Sequence, residues 1–431
     1  MIVVHILVVA LWMVLAATLQ AADPLAVEST TPTPSGSSVI GEPSIADRVI
    51  DGDAKTEEFM PSDPLLTGRF WVDKEFLFWW GQGAKSPALV TGSPAGTPIQ
   101  QAGLIGAPGT RILAGNQPLN GDVSWGGQWR GGVWLDDCRT WGLEAGVFFL
   151  DDTGDSSHWG SSDGSLIVSR PFVDAISGQN NAQLISYPGV LAGTVDVDSS
   201  TTSLWGLDVV NRFPLCCCQA PGDCDSFSNY SRWDLLAGYR HFALSDQLRI
   251  EENLFPLEPT FVPGTQLNLV DQFRASNQFD GLVMGLLGER WRNRLYGMAA
   301  FRLNVGQVTR HVDINGQTTV TVPGNPTAIG TGGLYALPSN IGSYRDADWT
   351  VLPELQLRLG RRLYRRWTVF GGYQLLIWPH VARAAEQIDT VVNTELLPPP
   401  LPLTGPYRPA YTGHTSTFWL QGLSLGIDCR F

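Results

Sequence analysis

Charge is scarce in this chain. Charged residues make up 16% of its 431 residues, against about 25% in an ordinary soluble domain. Basic residues are the scarcer sign: 28 Lys and Arg stand against 41 Asp and Glu, for a net charge of −13. That balance disfavours nucleic acid as a partner, because phosphate binding needs clustered cations. Long apolar runs are missing after residue 22. This excludes a bundle of membrane helices, each of which needs about 20 apolar residues. Glycine (47), proline (29) and tryptophan (16) are plentiful, and 43% of the chain is hydrophobic. So many large apolar side chains exclude wholesale disorder. Two classes remain, a secreted all-β protein and a transmembrane β-barrel.

Residues 2–19 form the one long apolar run, closed by Gln20-Ala21-Ala22-Asp23. This is the layout of a secretory signal peptide cut after Ala21 or Ala22, although His5 replaces the usual Lys or Arg; an uncleaved anchor is the other reading. Residues 23–67 follow as a flexible periplasmic segment, rich in Pro, Ser, Thr, Gly and Asp and without periodicity. The remaining 68–431 read as the barrel.

Ten runs with period-2 alternation, the mark of a strand with two unlike faces, cover 70–80, 121–135, 140–150, 201–213, 230–243, 277–290, 294–306, 348–361, 366–378 and 416–431. In the last, Trp419, Leu423, Leu425, Ile427 and Phe431 alternate with Gly422, Ser424, Gly426, Asp428 and Arg430. In 277–290 both faces are apolar, Leu282, Met284 and Leu286 competing with Phe279, Val283 and Leu287. Most of these runs are longer than the usual 5–6 residues of a soluble strand and suit a tilted crossing of a membrane. Connections alternate between long (81–120, 151–200, 244–276, 307–347, 379–415) and short (136–139, 214–229, 291–293, 362–365). This is the habit of outer-membrane barrels, with short periplasmic turns and long outer loops. The fold class is therefore all-β, a transmembrane antiparallel up-and-down barrel of about ten strands, twelve being the alternative count.

Seven tryptophans fall at strand starts on the apolar face. Trp125, Trp205, Trp349 and Trp419 mark one rim, and Trp141, Trp233 and Trp367 the other. Two such belts are expected where indoles sit at headgroup level. The opposite, inward face carries both charge signs: Asp122, Arg130, Glu144, Asp208, Asp234, Arg240, Arg302, Glu354 and Arg358. About eight strands make a barrel just wide enough to be filled by side chains, and wide channels need about 16. Ten strands with mixed charges thus predict a filled or very narrow lumen with its ions paired. The C-terminal Phe431 with Gly426, on an amphipathic last strand, resembles the signal read by the barrel-assembly machinery, with Cys429 where an aromatic is usual. That machinery and outer-membrane lipid are the expected partners.

Several strings carry a family resemblance: FLFWW (76–80), LVTGSP (89–94), GTRILAG (109–115), WLDDCRTWGLEAGVFFL (134–150), RPF (170–172), YPGVLAGTV (187–195), and LCCC before RWDLLAGYR (232–240). Over residues 70–431 the chain resembles the putative beta-barrel porin family seven. The resemblance implies an outer-membrane barrel and supplies no catalytic residues.

The remaining chemistry is weaker. Cys138, Cys216, Cys217, Cys218 and Cys224 lie in two neighbouring short connections. In an exported chain they suggest a disulfide from Cys138 to that group, with free thiols or a thiolate metal site as alternatives; the spacing is not C-x-x-C and no His is near. Gly160-Ser161-Ser162-Asp163-Gly164 matches G-x-S-x-G but lacks the strand–helix context of a nucleophile elbow. Asp151, Asp152, Asp155 and His158 read as a solvated loop. Arginines crowd two short turns at 290–294 and 361–366. The sequence therefore reads as a non-enzymatic outer-membrane barrel without cofactor, structural and surface-exposed or a narrow channel, located in the outer membrane after export. Rival readings are a barrel enzyme, protease- or lipase-like, working at the outer rim, and a soluble β-sandwich.

Overall fold

Ten strands pair antiparallel in chain order: β1 (Phe70–Gly81), β2 (Val123–Trp134), β3 (Gly142–Leu150), β4 (Leu191–Cys218), β5 (Asn229–Pro256), β6 (Gln266–Arg292), β7 (Leu295–Thr321), β8 (Gly342–Tyr364), β9 (Trp367–Val381) and β10 (Ser416–Arg430). The last returns to the first, with Trp71 opposite Arg430 and Gly81 opposite Leu420. The ring is a closed barrel without an open edge. The computed structural model describes residues 69–136, 139–218, 229–364 and 366–431. The expected signal peptide and the 23–67 segment lie outside these residues, as do Cys138 and Cys224.

Alternation fixes which side of each strand meets lipid. On β8, Val351, Leu357 and Leu359 are exposed on the outer wall, whereas Thr350, Leu352, Glu354, Gln356 and Arg358 are buried inside. The ambiguity on β6 resolves the same way: Phe279, Val283 and Leu287 point into the lumen, while Leu282 (66% exposed) and Met284 (56%) face out. Both faces are apolar there because one meets lipid and the other meets aromatic packing inside. The hairpin between β6 and β7 turns on Asn293, whose φ of 56° is left-handed, a conformation that asparagine tolerates well in two-residue turns.

Strands β4 to β8 are far longer than a membrane crossing. They run 28, 28, 27, 27 and 23 residues. The stretches expected as long connections at 151–200, 244–276 and 307–347 are therefore in large part strand. The physical reason is a change of polarity at the rim. On β5 the outward side goes from Trp233, Leu235 and Tyr239 to Ser245, Gln247, Arg249 and Glu251. Its inward side becomes Leu244, Leu248, Ile250 and Leu254, all buried. Period 2 continues, but the outer wall now faces water instead of lipid.

Connections at this loop end fold back as structure. A small sheet joins Asn180–Ser186, Ile167–Asp174, Ala88–Ser93 and Arg111–Gly115 in that order, with Val391–Val392 added parallel to Ile167–Asp174. Thr153–Ser161 pairs with the upper part of β4. An apolar core that includes Leu89, Val168, Phe172, Val197, Ile250, Phe273, Ile314, Tyr335, Val392 and Leu396 packs the sheet against the extended wall.

Candidate functional site

The lumen of the barrel holds three layers. Nearest the short turns is an ionic layer, contributed by inward positions of nearly every strand. Arg130 Nη1 donates to Glu144 at 2.8 Å and its Nη2 lies 3.4 Å from Asp208. Arg212 bridges Asp234 (2.6 Å), Glu144 (3.1 Å) and Glu289 (3.5 Å). Arg240 pairs with Asp208 at 2.8 Å and reaches across the lumen to Glu354 at 3.3 Å. Arg302 sits 3.4 Å from Glu354 and 3.9 Å from Glu144. These groups are buried, where an unpaired charge costs several kcal/mol. Interleaving both signs lets each guanidinium meet more than one carboxylate. Among the lining side chains is a cavity of about 20 Å³, room for about one water.

Two placements depart from the sequence expectation. Asp122 lies outside the lumen, exposed one residue before β2 begins, and lines an open groove of about 570 Å³ at the loop end. Arg358 meets Asp73 (2.6 Å) and Glu75 on β1, rather than any of the carboxylates expected beside it. Arg358 and β1 are three strands apart around the ring, so the pairing comes from a long side chain reaching across the lumen. Asp428 and Arg430, on the polar face of the last run, join the layer, as do Asp73, Glu75, Arg212 and Glu289, which the sequence reading did not name. The signal of these four was available as inward parity on β1, β4 and β6.

Above the ions lies an aromatic layer. Trp79 and Phe148 have ring centroids 5.5 Å apart, Phe148 and Phe242 5.6 Å, and Phe242 and Trp378 6.0 Å. Phe279 lies 6.5 Å from Trp378, edge-on. β5 and β9 are four strands apart in the ring of ten, so this chain of rings crosses the lumen. Trp378, Phe242 and Phe279 have no solvent exposure. Arg240 ties the two layers, its guanidinium 4.2 Å from the Phe242 ring centroid. Glycines make room: a Cβ on Gly206 would come 2.4 Å from Phe148 and 2.6 Å from Phe242.

The third layer is the apolar core of the loop end, pinned to the wall by buried polar residues. Arg170 has no solvent exposure and pairs with Glu252 and, at 2.8 Å, with Asp271. Its guanidinium lies 4.4 Å from the Tyr335 ring centroid. Asp271 also accepts from the backbone N–H groups of Leu334 (3.0 Å), Tyr335 (3.2 Å) and Ala336 (2.9 Å). Asn277 exchanges two hydrogen bonds of 2.8 Å with the Ala382 backbone, and Asp246 pairs with Arg383 at 2.6 Å. Burial pushes the Glu252 carboxyl up despite Arg170. Burial likewise raises the Tyr335 phenol. Of these pins the sequence flagged only Arg170, within RPF.

The seven rim tryptophans all lie on the outward parity. Trp125, Trp141, Trp233, Trp349 and Trp367 are exposed, and Trp205 and Trp419 half-buried. Trp205 packs on His241, centroids 4.9 Å apart. Other tryptophans point inward, among them Trp71, whose Nε1 donates to Glu144 at 3.3 Å. Phe431 closes the seam: its N–H donates to Phe70 O at 3.0 Å and its carbonyl accepts from Phe70 N–H at 2.8 Å. A Cβ on Gly426 would meet the Phe370 ring at 2.5 Å and the Glu75 stem at 2.8 Å, so lumen packing demands that glycine. Cys216, Cys217 and Cys218 fall at the end of β4, with Cys216 opposite Trp233; a pairing to Cys138 falls outside the described residues. Asp155 accepts from the Asn120 backbone N–H at 2.8 Å, and His158 contacts Asp196 at 2.6 Å on the outer surface. Ser161 ends a strand, bonded to Asp163, with no helix behind it. No group of three or more His, Cys, Asp or Glu suited to a metal occurs among the described residues.

The family described as Putative beta barrel porin-7 (BBP7) matches residues 71–431. No curated protein matches the chain. Among solved structures, it is similar to the outer membrane protease OmpT from Escherichia coli, at 9% identity and TM-score 0.40 over 85% of this chain and 97% of that one. It is also similar to the P. putida toluene transporter TodX, at 7% identity and TM-score 0.19 over 86% and 93%. A Pseudomonas aeruginosa FadL homologue shows 8% identity and TM-score 0.22 over 86% and 93%.

Proposed function

The chain belongs to the Putative beta barrel porin-7 family of β-barrels, and we propose that it is a closed, non-catalytic outer-membrane scaffold that holds a folded loop unit at the cell surface. One observation carries this reading: the aromatic layer from Trp79 through Phe148 and Phe242 to Trp378 crosses the whole lumen. Beneath it, the side chains of the ionic layer line a cavity of about 20 Å³. A hydrated sugar has no passage through two such layers. The strand extensions of β4 to β8 support the scaffold role, since they raise the loop unit beyond the lipid band on a continuous hydrogen-bonded wall.

Sugar uptake into liposomes tests the proposal. Wild-type protein should admit no more sugar than empty liposomes. The double variant Phe242→Ala and Trp378→Ala, which removes two rings at the centre of the layer, should admit more. Rapid wild-type uptake of sugars would overturn the closed-scaffold reading.

A further inference from the structure

In a chain of net charge −13, one face of the turn end is basic. Five arginines cluster where β6 to β9 end. Arg290 and Arg292 close β6, Arg294 sits in the turn, Arg361 lies near the end of β8, and Arg366 precedes β9. All five are exposed. Register brings them together: Arg292 lies opposite Leu295, and Leu295 opposite Arg361. The only acidic residue in 286–297 or 357–369 is Glu289, which points inward and is buried. Among the described residues none of the five has a carboxylate within ion-pair distance.

The apolar residues around these arginines say what the surface faces. Leu295, Leu359, Leu363, Tyr364 and Trp367 are exposed on the same four strands. They belong to the lower edge of the lipid-facing band, and Trp367 is one of the rim tryptophans. Arginine and aromatic residues alternating at that depth match the headgroup zone, where indoles and guanidinium groups reach towards phosphate. A guanidinium meets phosphate oxygens in a two-pronged geometry.

We propose that the turn end of β6 to β9 binds the anionic headgroups of phospholipids in the bilayer leaflet on that side. The surface recruits a shell of anionic lipid around one side of the barrel, and so fixes its depth there. The proposal needs the barrel to span a bilayer and is independent of whether the lumen conducts.

The test uses the full chain reconstituted in phosphatidylcholine vesicles with trace spin-labelled lipid, comparing labelled phosphatidylglycerol with labelled phosphatidylcholine in the motionally restricted shell. At low salt the wild type should prefer phosphatidylglycerol severalfold, since a basic residue near a charged membrane surface is worth about fivefold in affinity. The triple variant Arg294→Gln, Arg361→Gln and Arg366→Gln should bring the preference towards one while keeping the gel mobility of a folded barrel. In the wild type 0.5 M NaCl should do the same, a reading that needs no variant. Inorganic phosphate should act no more strongly than chloride at equal ionic strength if the membrane-bound headgroup is the ligand. Equal restricted fractions of the two lipids in the wild type, a preference that survives the triple variant or high salt, or specific displacement by inorganic phosphate would each overturn the proposal.

Discussion

A single guanidinium in the lumen answers for several carboxylates, so its removal has a defined cost. Arg358 is the partner of Asp73 and Glu75. Arg358→Met leaves two buried acids on β1 without it, and losing one member of a buried ion pair costs about 3–5 kcal/mol. Urea unfolding of the reconstituted barrel should show a loss of that order. Adding Asp73→Asn and Glu75→Gln to the same chain should recover much of it, because the desolvated charges go too. The Arg170 pin also sets two carboxylates against one cation, but its two acids are not equivalent. Asp271 also serves three backbone N–H groups, so Asp271→Asn should cost about 3 kcal/mol or more. Glu252→Gln should cost under about 1 kcal/mol, since an amide oxygen still accepts from Arg170. Burial raises the Glu252 carboxyl above its ordinary 4.5. The folded state then holds this proton more tightly than the unfolded one, and stability falls as pH rises from about 4.5 towards the folded value. Glu252→Gln should flatten that part of the profile in unfolding experiments, and an unchanged slope would mean that another group sets it.

At the scale of the strand, the rim is where outward residues turn from apolar to polar. Leu282 lies outward within the lipid band of β6, and Gln272 lies outward ten residues earlier, on the extension. Leu282→Arg should destabilise the barrel in vesicles by about 2–4 kcal/mol, the cost of a cation deep in the lipid face. Gln272→Arg should stay within about 0.5 kcal/mol, as at an ordinary wetted surface. Equal costs would misplace the rim. The same reversal explains what was legible. The membrane part of each strand was readable because apolar residues alternated with polar ones across a length that suits lipid. The extensions were not, because the outer residues at Gln247, Arg249 and Glu251 look like loop once water replaces lipid. On β4 a register shift between Thr201 and Ser203 breaks the alternation as well. Deleting Phe431 removes two backbone hydrogen bonds and a stacked pair with Phe70 at the seam. Insertion into the outer membrane should drop, as the amount of heat-modifiable barrel in membrane fractions would show.

Across the whole molecule, the count of strands and the mixed charges of the inward face were legible because both follow from parity and ring size. The closing of the lumen by rings was not. Phe148, Phe242, Phe279 and Trp378 sit on four different strands, and only the register of the closed ring brings them into contact. The pinning of the loop unit was hidden for the same reason: Asp246, Asp271 and Asn277 lie more than 60 residues in sequence from their respective partners Arg383, Leu334 and Ala382. Together these layers make the barrel a packed body whose wall and interior support one another. Single-channel recording of the refolded full chain in planar bilayers measures that closure directly. A closed scaffold predicts no steady conductance above the bare bilayer, and a steady conductance only once Phe242 and Trp378 are truncated to alanine. A large, stable conductance from the wild-type barrel would contradict the account.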